Sequence, residues 1–148
     1  MPPEALPFIW GIAFIIGALK APAYFIVFWA CSIPAVSPVG GRRLERAFTA
    51  AVARMMFGVF TTPFLFILMT SAAASAYEWT FHAVHIAIRV LLWLAVALLV
   101  YRKAPFHSRG YRFTFAISVV VAGSLLDLAL DHLLFQGEMF RGSGRWGC

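Results

Sequence analysis

Apolar residues fall in four long runs, at about 8–33, 48–74, 79–101 and 113–135, separated by short stretches where basic, small and turn-forming residues collect. Each run exceeds the roughly 20 residues a helix needs to cross the hydrocarbon core of a bilayer. The pattern predicts an all-α integral membrane protein, a four-transmembrane-helix bundle forming one membrane domain over residues 1–148. The runs use most of the chain and leave no room for a soluble domain.

Composition narrows the class further. The chain is 62% hydrophobic and 12% charged, with mean hydropathy +0.85, against roughly 25% charged in a soluble domain. That excludes an ordinary soluble enzyme, a disordered chain and a disulfide scaffold. The net charge of +6 comes from basic residues that flank the apolar runs, so the expected partner is the bilayer with its anionic headgroups rather than nucleic acid. Met1-Pro2-Pro3-Glu4 lacks the basic start of a signal peptide, so the first run is expected to stay as a helix. Cys31 and Cys148 are expected on opposite sides of the membrane, which argues against a disulfide between them. Arg outnumbers Lys ten to two and Ala is abundant, a bias that points to a GC-rich bacterial genome, and with the apolar runs the expected location is a bacterial inner membrane.

The basic residues set an expected topology. Arg42, Arg43 and Arg46 follow the first run, and Arg102, Lys103, Arg109 and Arg112 follow the third. The N-terminal tail and the stretch at about 71–76 have none, and the C-terminal tail has Arg141 and Arg145. Basic loops are retained in the cytoplasm, so both termini are expected outside. Arg43, Arg46 and Arg54 lie within about 80° of one another on a helical wheel. They predict an interfacial basic helix running into span 2, with Arg54 snorkelling and all three contacting lipid headgroups; an anionic cytoplasmic ligand is the alternative. Thr61-Thr62-Pro63 predicts a kink whose freed backbone group the threonines can satisfy. Ala13, Gly17 and Ala21 form a small-residue face that serves either core packing or a dimer contact.

The remaining charges lie inside the spans. Setting Glu78 at 0°, His82, His85 and Arg89 fall at about 40°, 340° and 20°. On span 4, with Asp127 at 0°, Asp131 falls at about 40°. Antiparallel packing of these two helices would bring Arg89 to Asp127, and His82 and His85 to Asp131. Glu78 to Arg89 covers about 16 Å along the axis, and Lys20 reaches a similar depth. Charges at that depth cost several kcal/mol if they face lipid. Lys20, Glu78, His82, His85, Arg89, Asp127 and Asp131 are therefore expected to line one outward-facing polar pocket. A plain salt bridge fixing helix register remains the alternative.

Titratable groups lining an aqueous path suit a proton- or ion-coupled transport component, and four spans imply an oligomer or a larger complex around them. Glu78, His82, His85 and Asp131 also form a candidate metal set of nitrogen and oxygen ligands suited to zinc, manganese or iron. Haem b is a weaker cofactor candidate, since it needs an axial His from each of two helices and His132 lies off the polar face. No Ser/His/Asp order, nucleophile elbow or Gly-rich phosphate loop is present, so the chain leans away from a hydrolytic or phosphoryl-transfer enzyme.

The turn Ala104-Pro105-Phe106-His107-Ser108-Arg109-Gly110-Tyr111, with Leu44-Glu45-Arg46 before span 2, resembles the four-span membrane enzymes of eicosanoid and glutathione metabolism. Those enzymes carry Arg-Ala-His-x-Asn-x-x-Glu at the entry to span 2. Here that stretch reads Arg46-Ala47-Phe48-Thr49-Ala50-Ala51-Val52-Ala53, and the chain contains no Asn. The resemblance places His107 where those enzymes have a thiol-activating arginine. The expected function is thus a small transport component handling a proton, metal ion or small solute. The alternatives are a non-catalytic accessory or scaffold subunit, and a membrane-embedded enzyme.

Overall fold

The computed structural model describes residues 5–37, 42–70 and 78–134, with side chains at 5–6, 63–70, 78–82, 131–132 and 134 outside the described set. Four helices account for nearly all of it: α1 (Ala5–Ala35), α2 (Arg43–Thr70), α3 (Glu78–Val100) and α4 (Arg109–Leu134). Three of them contain stretches long and apolar enough to cross a membrane, Pro7–Ala35, Ala83–Val100 and Arg109–Leu130, as in a multi-pass membrane protein. Among the described residues α2 supplies no such stretch; it carries Arg43, Glu45, Arg46 and Arg54, and its side chains at 63–70 lie outside the described set.

α1 packs on α2 and α4, and α3 packs on the same two helices. The helices therefore stand at the corners of a square in chain order, with α1 diagonal to α3 and α2 diagonal to α4. A short main-chain clip fixes one end. Val36 and Phe106 form an antiparallel bridge, Ser37 N–H donates to the Pro105 carbonyl at 2.9 Å, and His107 N–H donates to that of Ala35 at 3.4 Å. Arg43 reinforces it by donating to the Val36 carbonyl. Because α1 and α3 end at this clip and α2 and α4 begin there, neighbouring helices run antiparallel.

The inward faces follow the 3.6-residue period. On α1 they present Ala13, Lys20, Tyr24, Phe28 and Ala35, and on α2 Ala47, Ala50, Ala51, Arg54 and Val59. The outward faces are richer in large apolar groups than the inside: Phe8, Ile15, Leu19 and Ile26 on α1, Phe48 and Phe60 on α2, Leu91 and Leu99 on α3, Phe113 and Leu125 on α4 are all exposed. Such a surface would be untenable in water over so large an area and is what a hydrocarbon solvent selects. The basic stripe expected on α2 is inverted by the same logic. Leu44, Phe48 and Val52 face outward, and Arg54 turns in among small residues.

The core is built on aromatic stacking. Phe28 packs against both Trp93 and Tyr101, with centroids 5.2 and 6.2 Å away, and Tyr101 continues to Phe115 at 4.5 Å. Small residues let the helices close on these rings. Met55 and Val59 of α2 fill the space that a side chain at Gly17 of α1 would need, with a Cβ meeting Met55 Cγ at 2.9 Å. Gly123 is more stringent, since a Cβ there would lie 2.3 Å from the Trp93 ring. Gly11, by contrast, has nothing within 4 Å of a built Cβ.

The expected outcome is that Gly123→Ala displaces Trp93 and lowers stability by about 1–3 kcal/mol, the usual cost of overpacking. Gly11→Ala should leave stability unchanged or raise it slightly, because alanine is the better helix former. Thermal unfolding of the purified variants in detergent, followed by tryptophan fluorescence, reads both.

Candidate functional site

A polar node occupies the centre of the square. Asp127 of α4 is 1% exposed, Arg54 of α2 is 4% exposed and Lys20 of α1 is 7% exposed. The Asp127 carboxylate accepts three hydrogen bonds from three different helices. Tyr24 Oη donates to Oδ1 at 2.7 Å, while Arg54 Nη2 and Trp93 Nε1 donate to Oδ2 at 2.7 and 2.8 Å. The Arg54–Asp127 ion pair spans one diagonal of the bundle. Tyr24 and Trp93 meet edge to face across the other at 5.2 Å. The Arg54 guanidinium lies 5.3 and 5.1 Å from the centroids of the Tyr24 and Trp93 rings, so cation–π attraction adds to the ion pair. Tyr24 and Arg54 each stand about 16 Å along their helices from the clip, about half the thickness of a hydrocarbon core.

Beside the node is a cavity of about 100 Å³, lined on the polar side by Lys20, Tyr24, Arg54, Thr61, Thr62, His85, Arg89 and Asp127, and on the apolar side by residues that include Ile16, Met55 and Leu92. It can hold several waters, each of which needs about 10–15 Å³. Helical spacing places its walls. Lys20 lies one turn from Tyr24, and His85, Arg89 and Trp93 follow at successive turns of α3. Arg89 Nε donates to His85 Nε2 at 3.1 Å, which fits a neutral imidazole protonated at Nδ1. Thr61 donates to the Phe57 and Gly58 carbonyls at 2.9 and 3.1 Å, and Thr62 to that of Gly58 at 2.8 Å. These bonds cover backbone acceptors in the turn before Pro63 and leave the threonine oxygens able to accept.

The structure divides the seven residues expected in the pocket. Lys20, His85, Arg89 and Asp127 surround one cavity. The side chains of Glu78, His82 and Asp131 lie outside the described residues, as does His132, so the expected His82–Asp131 facing and most of the metal set are not placed. Among the described residues no group of three His, Cys, Asp or Glu side chains gathers as a metal site would.

Two expectations are corrected. Asp127 forms its ion pair with Arg54 rather than Arg89. Long side chains on a helix lean toward its N-terminus, so Trp93 reaches Asp127 from its own level on α3 and occupies the carboxylate's α3-facing side. Arg54 does not reach a headgroup. It is buried because an ion pair and two aromatic faces at the node outweigh a lipid-facing position. Arg43 and Arg46 stay half-buried at the start of α2, with Arg43 tied to the clip. His107, at the position singled out by the enzyme-like turn, stacks edge-on against Tyr111 at 5.5 Å and sits in the clip, remote in sequence and element from the cavity.

Tyr24, Trp93 and the inward turn of Arg54 were not expected from the sequence. The signal was present in the spacing: Lys20-x3-Tyr24 and Arg89-x3-Trp93 each extend a polar face by one turn, and Arg54-x3-Gly58 follows the cation with a small residue. No family model, curated protein or solved structure matches this chain.

Removing one partner of a buried ion pair strands the other. Asp127→Asn is expected to destabilise the fold by about 3–5 kcal/mol, and the double variant Arg54→Leu with Asp127→Leu by clearly less than the two single changes added together. Thermal unfolding of Arg54→Leu, Asp127→Leu and the double variant against the parent protein measures the coupling. Additive losses would show that Arg54 and Asp127 act independently.

Proposed function

We propose that this chain is a four-span protein of a bacterial inner membrane, with both termini outside and the basic loops in the cytoplasm, whose buried cavity takes up a proton or a small polar solute as part of a transport component. The observation that supports this reading is the cavity itself. It sits beside a mid-depth ion pair, is large enough for several waters, and carries a titratable His85 within hydrogen-bonding distance of Arg89. A satisfied structural ion pair needs no such space next to it. The three cations on its wall, Lys20, Arg54 and Arg89, oppose entry of a divalent cation, which argues against a metal ion as the cargo. Four helices enclose too little for a complete pathway, so the working unit is a homo-oligomer or a larger membrane complex.

A second reading, an accessory subunit without transport of its own, is favoured by a different observation. Asp127 already accepts from Tyr24, Arg54 and Trp93, and a carboxylate so engaged serves as a peg that fixes four helices. On this reading, the exposed apolar faces carry the role by docking on a partner.

Reconstitution into sealed liposomes separates the two. The transport reading expects a solute or proton flux that His85→Ala and Arg89→Gln reduce at least about tenfold, with thermal stability changed by no more than about 1 kcal/mol, as for substitutions away from a packed core. The accessory reading expects no flux from any variant.

A further inference from the structure

We infer that the cavity is a binding site for a small carboxylate-type anion, an inference that rests on the solute-handling reading of the same cavity and names the class of solute. Three side chains that carry positive charge line it, Lys20, Arg54 and Arg89, against one carboxylate, Asp127. Both oxygens of that carboxylate are already engaged by Tyr24, Arg54 and Trp93. The balance on the described wall is therefore cationic.

Arg54 supplies the second observation. It is 4% exposed and uses Nη2 on Asp127, yet its Nε has no hydrogen-bond partner. A buried guanidinium N–H without an acceptor is costly. Gly58 lines the cavity beside Arg54, where a Cβ would lie at an ordinary contact distance of 3.4 Å from Nη1.

The chemistry selects the ligand class. Guanidinium groups bind planar carboxylates through paired N–H donors, and Lys20 adds a compact charge from α1. A volume of about 100 Å³ admits an anion of a few heavy atoms with some water. Apolar lining from Ile16, Met55 and Leu92 suits a short alkyl group beside the carboxylate.

The test titrates the full-length protein in lipid nanodiscs with acetate as the probe, by calorimetry and by broadening of the acetate NMR signal. Benzoate and zinc chloride serve as comparison probes. Acetate is expected to bind, and Lys20→Met and Arg89→Gln are each expected to weaken it by about tenfold or more, the loss of one charge-assisted contact. Arg89→Lys, which keeps the charge, is expected to retain binding, and an unchanged tryptophan emission spectrum verifies that each variant is folded. Failure of folded wild-type protein to bind acetate overturns the inference, as does acetate binding that both charge-removing variants leave unchanged or binding of zinc in its place. Liposome flux measured on the same samples keeps the two claims apart. Proton flux without acetate binding overturns the anion and leaves the transport reading, whereas acetate binding without flux upholds the site and overturns transport.

Discussion

The bundle depends on the three donors that converge on Asp127. Each of the four helices contributes one group to this node, and the two contacts that cross the square, Arg54–Asp127 and Tyr24–Trp93, intersect there. Helices in a bilayer gain little from hydrophobic association, because lipid tails are as apolar as leucine. Directional contacts and close packing must then decide the arrangement. A carboxylate with partners on three other helices fixes rotation and depth of all four at once. The glycine at 123 belongs to the same solution, since it allows the Trp93 ring to lie against α4 and present Nε1 to the acid.

The solvent outside the bundle explains the distribution of side chains. Large apolar groups cover the outer faces, while alanine, glycine and the ionisable residues collect inside. The clip of Val36, Ser37, Pro105 and Phe106 satisfies backbone groups at the one end where helices α1 and α3 stop together. Node and clip together hold the two helical hairpins at two separate levels, about 16 Å apart along α1 and α2. The cavity lies beside the node and on the side away from the clip, where Lys20, His85 and Arg89 follow one another along α1 and α3.

Helix existence was legible in the sequence because apolar runs of this length have few other uses. The concentration of charge on spans 3 and 4 was legible for the same reason: Arg89 and Asp127 could not face lipid. Their partners were not legible. Pairing span 3 with span 4 alone assigns Asp127 to Arg89, because neighbours in sequence are the first candidates and the diagonal helix is invisible to such reasoning. Arg54 misled for a related cause. It shares a wheel sector with Arg43 and Arg46, which stay at the end of the helix, but it sits about 12–16 Å further along, where snorkelling is no longer short. Its neighbours Ala47, Ala50, Ala51 and Gly58 are the better clue, because small residues around a buried cation mark a helix face pressed against other helices. Tyr24 and Trp93 read as ordinary core aromatics until their polar ends acquire a shared acceptor.

The order of helices along the chain gives the node a consequence for biogenesis. Arg54 is made with α2, and the donors Tyr24 and Trp93 with α1 and α3, but the acid that receives all three belongs to α4. Chains are synthesised from the N-terminus at roughly 5–20 residues per second. For several seconds, the first three helices carry a cation whose counter-ion has not yet been translated. A nascent chain in that state holds an uncompensated charge in apolar surroundings, which is costly at membrane depth. Arrival of the fourth helix supplies the carboxylate that pairs with Arg54 and ties the other three helices together.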